Sequence, residues 1–186
     1  QGPDGRYYLY YVNDVMDIVS VAVCDTPAGE YKFHGYVQYP DGTLYGRNKE
    51  AGDEPQFDPA VLTEGDNVYL YTGFCRLTGV DRHGAMVTRL DKDMLTVLQP
   101  PKFVLPSGPY TEGTGFENNP YFEAPSIRKF NGVYYLVYSS TAQHELCYAT
   151  SKYPDRDFTY QGVIISNGVT NIGSKAAGTD FSPCRK

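Results

Sequence analysis

Phe57-Asp58-Pro59-Ala60-Val61-Leu62, followed by Asn67-Val68-Tyr69-Leu70-Tyr71, reads as two short strands joined by a turn. The pattern returns at Phe122-Glu123-Ala124-Pro125-Ser126-Ile127, followed by Asn131-Gly132-Val133-Tyr134-Tyr135-Leu136-Val137-Tyr138. Each time a carboxylate stands just before a proline and a short apolar strand, and the two acids lie 65 residues apart. A third copy opens at Gly5-Arg6-Tyr7-Tyr8-Leu9-Tyr10-Tyr11-Val12, without the acid-bearing strand in front of it. Tyr8, Tyr69 and Tyr135 correspond, at spacings of 61 and 66 residues.

Further strands follow in each copy. The first continues with Ile18 to Val23 and Tyr31 to Val37; the second with Gly84 to Arg89 and a run from Thr96 towards Leu105; the third with Glu145 to Thr150 and Phe158 to Ile165. A full unit therefore offers four strands in up-and-down order. Units of this kind cannot bury both faces alone and are expected to stack as blades of a β-propeller. A β-sandwich is the alternative, but it does not account for the repeat. The expected fold is all-β: about three consecutive four-stranded blades, part of a larger propeller. Residues 1–175 are expected to form this partial domain and 176–186 an irregular tail, and the chain reads as cut at both ends.

Composition agrees. Tyr supplies 18 of 186 residues and Phe 9, with 19 Gly and 13 Pro spread along the chain, which suits short strands punctuated by turns. A net charge of −6 argues against a nucleic-acid backbone as partner, because that needs clustered Lys and Arg. No apolar run is long enough to span a bilayer. Cys24, Cys75, Cys147 and Cys184 lack metal-site spacing and read as free thiols. His34, His83 and His144 do not cluster, so no metal site is expected from them. Signatures for a nucleophile constellation and for a phosphate loop are missing.

On adjacent innermost strands, Asp58 and Glu123 are expected to face one axial cavity. Two acids held close cannot both ionise freely, so one pKa rises. Glu123, beside Tyr121 and Phe122, is the better candidate for the protonated partner, with Asp58 charged and orienting it. Paired carboxylates in a cavity are what glycoside hydrolysis uses. Turn chemistry at each proline is the bland reading, and the repetition within a Tyr-Leu-Tyr frame weakens it. Phe57, Phe116, Tyr121 and Thr141 are expected to line the substrate subsite. Ser139, Ser140, Asn13 and Asp14 hold strand-end positions that could contact sugar hydroxyls.

These paired motifs resemble glycoside hydrolase family 43, from about Gly5 to Asn167. The resemblance implies a five-bladed propeller and inverting hydrolysis of arabinosyl or xylosyl linkages in oligo- and polysaccharides. It assigns Glu123 as general acid and Asp58 as the carboxylate that tunes its pKa. The third carboxylate, an Asp acting as base, belongs in the family to an earlier strand absent from this sequence, so the 186-residue stretch alone is expected to turn over little. The resemblance allows a calcium ion in the intact enzyme, requires no other cofactor, and is compatible with a secreted or periplasmic parent chain. Fructoside-cleaving propellers, with Arg-Asp-Pro and Glu-Cys at the matching places, fit less well. A sialidase or WD-type scaffold is disfavoured by the lack of Trp. A non-catalytic carbohydrate-binding propeller is the rival from another class.

Overall fold

The computed structural model describes residues 1–13, 17–75, 82–142 and 144–166. Asp14, Cys184 and the expected tail at 176–186 lie outside the described residues, as does the expected boundary near 175. Among the described residues eleven strands make three antiparallel sheets. The first holds β1 (Tyr7–Asn13), β2 (Ile18–Cys24) and β3 (Lys32–Tyr36) in that order. The second runs β4 (Ala60–Glu64), β5 (Asn67–Phe74), β6 (Gly84–Leu90) and β7 (Val97–Pro106). The third runs β8 (Tyr121–Phe130), β9 (Val133–Ser140), β10 (Leu146–Ser151) and β11 (Thr159–Ile165). Three, four and four strands in sequential pairing are the partial blades that the repeat predicts. Between the first and second sheets lies a single short 3-10 turn at Lys49–Ala51, and no helix among the described residues is long and apolar enough to cross a membrane.

Period-2 alternation explains the stacking. In β5, Val68 and Leu70 point one way and join Val19, Val21, Leu90 and Val97 in a core between the first and second sheets. Tyr69 and Tyr71 point the other way and join Ala85, Val87, Ile127, Leu136 and Tyr138 in a core between the second and third. The middle sheet is covered on both faces, so β5 and β6 are buried almost continuously. Along β9 burial alternates strictly, because only one of its faces meets a neighbour among the described residues. The outer face of the first sheet leaves Leu9, Tyr11, Phe33 and Tyr36 exposed.

One expected strand has unusual content, and one expectation needs adjustment. The last strand of the second unit is one ten-residue element, and it contains Pro100 and Pro101. It tolerates them because β7 is the sheet edge and its pairing with β6 shifts register between Lys102 and Gln99, so neither proline holds a ladder position. Cys24 and Cys147 are free, but Cys75 is disulfide-bonded, which corrects the thiol reading for that residue.

Candidate active site

The structure brings Asp58 and Glu123 together. Asp58 Oδ2 accepts a hydrogen bond from the Ala124 amide at 3.0 Å, across the boundary between the second and third sheets. The two acids, however, are not in equivalent positions of the repeat. Ala60 faces Tyr71 as Ser126 faces Val137, a spacing of 66 on both sides of the ladder. On that register Asp58 matches Ala124, and Phe57 matches Glu123. Nor is Asp58 on a regular strand: it sits two residues ahead of β4, whereas Glu123 lies within β8 at a register shift.

Backbone kinks, rather than strand pleat, therefore aim the acids. Asp58 has φ 46° and Ala124 has φ 57°, both left-handed and both immediately before proline. That conformation costs a non-glycine residue about 1–2 kcal/mol, and a following proline disfavours it further. Strain of this kind persists only where surrounding contacts over-determine the backbone, and it concentrates at functional sites.

The approach to Asp58 is held by buried polar contacts. Gln56 is fully buried; its Nε2 donates to Asp53 Oδ1 at 3.2 Å and to the Glu54 carbonyl at 2.5 Å, while its Oε1 accepts from the Thr72 hydroxyl. The Glu54 carboxylate accepts from the His83 amide at 2.9 Å and contacts the His83 ring. On the other acid's side, Asn119 is buried and donates to Glu145 at 2.9 Å, and its own oxygen accepts from the Tyr160 hydroxyl at 2.8 Å. The Thr141 amide donates to the Pro120 carbonyl at 3.0 Å, tying the turn after β9 to the start of β8.

Both carboxyls are half-buried, and both have pKa values pushed above the ordinary range. For Asp58 burial raises it and the Ala124 amide, which favours the charged form, partly offsets the rise. For Glu123 burial is the larger cause and the charge of Asp58 adds to it. Among the described residues no hydrogen bond reaches the Glu123 carboxyl. The asymmetry leaves Asp58, with its amide donor, the better-stabilised anion and Glu123 the better proton holder.

Aromatic rings border the pair. Phe57 meets Phe74 edge-on at 5.3 Å between centroids, and Phe74 meets Phe122 at 5.1 Å. His144 lies edge-on to Phe122 at 4.8 Å. Phe57 is partly exposed and Thr141 lies partly exposed at the rim. Phe116 and Tyr121 are 2% and 0% exposed, which corrects their expected place in a subsite. Phe116 packs against Tyr138 and Tyr160, and the Tyr121 hydroxyl donates to the Gly73 carbonyl at 3.3 Å. These two residues support the site from within the core. Ser140 is likewise buried, its hydroxyl donating to the Ala142 carbonyl. Sequence reasoning missed Phe74 and His144; the glycine inside the β5 run, Gly73, was the available signal that a backbone passes closely there.

A cavity of about 860 Å³ is lined by Tyr8 to Tyr10 of β1, Pro59 to Thr63 around β4 and Pro125 to Arg128 of β8. Its lining begins at Pro59 and Pro125, one and two residues after the acids, and includes neither Asp58 nor Glu123. Among the described residues no group of three or more His, Cys, Asp or Glu is placed to hold a metal ion.

Residues 2–159 match the sequence model of Glycosyl hydrolases family 43. A xylosidase/arabinosidase of Thermoclostridium stercorarium is 61% identical over 173 residues, covering 93% of this chain and 36% of that protein. A xylosidase/arabinosidase of Bacteroides ovatus is 33% identical, covering 88% of this chain and 54% of that protein. Among solved structures, a β-xylosidase/α-arabinofuranosidase from a compost microbial metagenome, in complex with xylotriose, superposes with a TM-score of 0.63 at 30% identity over 87% of this chain and 54% of that one. An α-L-arabinofuranosidase of Clostridium thermocellum gives a TM-score of 0.63 at 26% identity, over 87% of this chain and 49% of that one. The chain spans between about a third and about half the length of these relatives.

Proposed function

The chain belongs to glycosyl hydrolase family 43, and from that premise we propose that it carries the acid half of a glycosidase acting on xylosyl or arabinosyl linkages. Glu123 donates the proton to the leaving oxygen. Asp58 remains ionised, holds the pKa of Glu123 up and orients it. The observation that carries this reading is the pairing itself: a hydrogen-bonded Asp58 beside a Glu123 that receives no hydrogen bond among the described residues, both half-buried. A Glu whose pKa is raised towards neutrality can protonate a departing alkoxide near pH 7.

On this reading inversion needs a third carboxylate, outside this chain, to activate water about 6.5–9.5 Å from the acid. The substrate is an oligo- or polysaccharide containing xylose or arabinose, in keeping with what the relatives' names state. Phe57 offers a ring face to the sugar and Thr141 a hydroxyl at the rim. For a calcium ion, which the family resemblance allows, the described residues bring together no group of three or more His, Cys, Asp or Glu.

The test is hydrolysis of aryl xylosides and aryl arabinofuranosides by the full-length protein. Glu123→Gln is expected to lower kcat/KM by about 10²–10⁴ on a poor leaving group. A dinitrophenyl leaving group needs no proton, so the same variant should lose far less on that substrate. Equal losses on both substrates would remove Glu123 from the acid role. Sugar binding without hydrolysis in the unaltered full-length protein would favour a carbohydrate-binding propeller instead.

A further inference from the structure

The two acid-bearing segments meet at the bond from the Ala124 amide to Asp58, and a third segment braces both. Between them runs the end of β5, and it touches both. The Gly73 amide donates to the Phe57 carbonyl at 3.0 Å, and the Gly73 carbonyl accepts from the Tyr121 hydroxyl at 3.3 Å. One residue is thus bonded to the residue before Asp58 and to a residue two before Glu123. The next side chain repeats the arrangement with rings, since Phe74 separates Phe57 from Phe122, and each of those immediately precedes an acid.

Gly73 is held in place from its far side. Its φ is 146°, and a Cβ there would lie 2.3 Å from the Gly84 carbonyl oxygen. Strand β6 therefore presses against β5 at this point, and only glycine permits the approach. Phe74 has its own support. The Arg82 guanidinium carbon sits 5.0 Å from its ring centroid. The Arg82 side chain is 7% exposed, and its Nη2 donates to Asp17 Oδ2 at 2.9 Å. Its Nε finds no hydrogen-bond partner among the described residues. An incompletely satisfied, buried guanidinium is expensive, so the gain from Phe74 and Asp17 must hold it there.

We infer that Gly73-Phe74, clamped by Arg82, is the spacer that fixes the separation and orientation of Asp58 and Glu123, which makes Phe74 and Arg82 positioning residues for the acid pair. The inference rests on the proposed roles of the two acids, but its geometry stands without turnover. Arg82 acts through the ring: it is not among the causes that shift either carboxyl.

The experiment reads the coupling between the acids directly. The chain is labelled with ¹³C at Asp and Glu carboxyls, and the Glu123 midpoint is followed by NMR with and without Asp58→Asn. The fall in midpoint on removing the Asp58 charge measures the coupling. Phe74→Leu and Arg82→Met are expected to reduce that fall by half or more, and Phe74→Tyr, which keeps the ring, is expected to leave it intact. Phe74→Met serves where Phe74→Leu does not fold, because it keeps bulk without a flat ring. An unchanged fall in the folded variants, or no fall in the unaltered chain, overturns the inference. Intact coupling that responds as expected, together with no hydrolysis by the full-length protein, would instead count against the proposed function alone.

Discussion

The Ala124 amide caps the Asp58 carboxylate at 3.0 Å, so the left-handed residue that follows one acid stabilises the charge of the other. A carboxylate that accepts a backbone N–H is favoured in its charged form, and a charged neighbour disfavours ionisation of the next acid. One hydrogen bond thus works on both groups. It holds Asp58 towards the anion and, through that anion, holds the Glu123 proton in place.

The first prediction concerns pH. Burial is the larger cause of the raised Glu123 pKa and the Asp58 charge is the second. Asp58→Asn removes only the second. A general acid must be protonated, so activity falls as pH rises through its pKa. The alkaline limb of the kcat/KM profile of the full-length protein is expected to move to lower pH in Asp58→Asn, but not to the ordinary Glu range. A limb that stays put, or moves up, would contradict the coupling.

Stability should respond in the opposite sense to activity. Glu123 has a folded pKa above its unfolded value. Its contribution to stability is fully present below the unfolded value, about 4.3, and is lost as pH rises through the folded one. Gln behaves as the protonated form at every pH. Glu123→Gln is therefore expected to melt higher than the unaltered chain at pH 7, by about 1–3 °C. The two should converge below about pH 4. Melting curves at pH 7 and pH 3.5 decide it, and a lower melting temperature for the variant at pH 7 would refute the burial argument.

The strands were legible because Tyr, Val and Leu alternate with a period of two, and because the pattern recurs. The three, four and four strands follow from that alone. The aim of the acids was not legible. It depends on left-handed backbone at Asp58 and Ala124, neither of which is glycine, and nothing in the composition of Phe-Asp-Pro or Phe-Glu-Ala-Pro announces it. The extra Ala between Glu123 and Pro125 was visible, and it is what puts the acids one residue out of step. Phe116 and Tyr121 were misplaced for a different reason. Phe116 lies in the loop before β8 and Tyr121 opens that strand, but their rings turn into the core between the second and third sheets, where aromatic burial outweighs a place at the surface.

The close approach of β5 and β6 gives a third prediction. Gly73→Ala would force a methyl to 2.3 Å from a backbone oxygen in a conformation L-residues avoid. The expected loss is about 3 kcal/mol. Gly65→Ala is the control, because Gly65 also has positive φ, 56°, but nothing lies within 4 Å of its Cβ position. That change should cost only about 1 kcal/mol. Urea unfolding of both variants checks the difference, and equal losses would show that the strand approach is looser than described.

Asn119 gives the last. It is 7% exposed and serves three partners with one side chain: its amide nitrogen donates to Glu145 Oε2 at 2.9 Å and to Ser140 Oγ at 3.5 Å, and its oxygen accepts from the Tyr160 hydroxyl at 2.8 Å. Its backbone carbonyl also accepts from the Tyr138 hydroxyl at 2.8 Å, and that bond survives a side-chain change. Asn119→Ala would leave the Tyr160 hydroxyl and the Glu145 carboxylate each short of a partner in a part-buried setting. Leaving such groups unmet is the costly direction of the hydrogen-bond balance, and about 2–3 kcal/mol is expected from urea unfolding with an unchanged m-value. Pro120, the next residue, is tied to Thr141, and three residues further on stands Glu123. A loosened Asn119 should therefore also lower kcat in the full-length protein while the alkaline limb of the pH profile holds its position, since neither burial of Glu123 nor the Asp58 charge is touched directly. A stability loss below about 1 kcal/mol, or a shifted limb, would show that Asn119 is not the anchor of the acid-bearing strand.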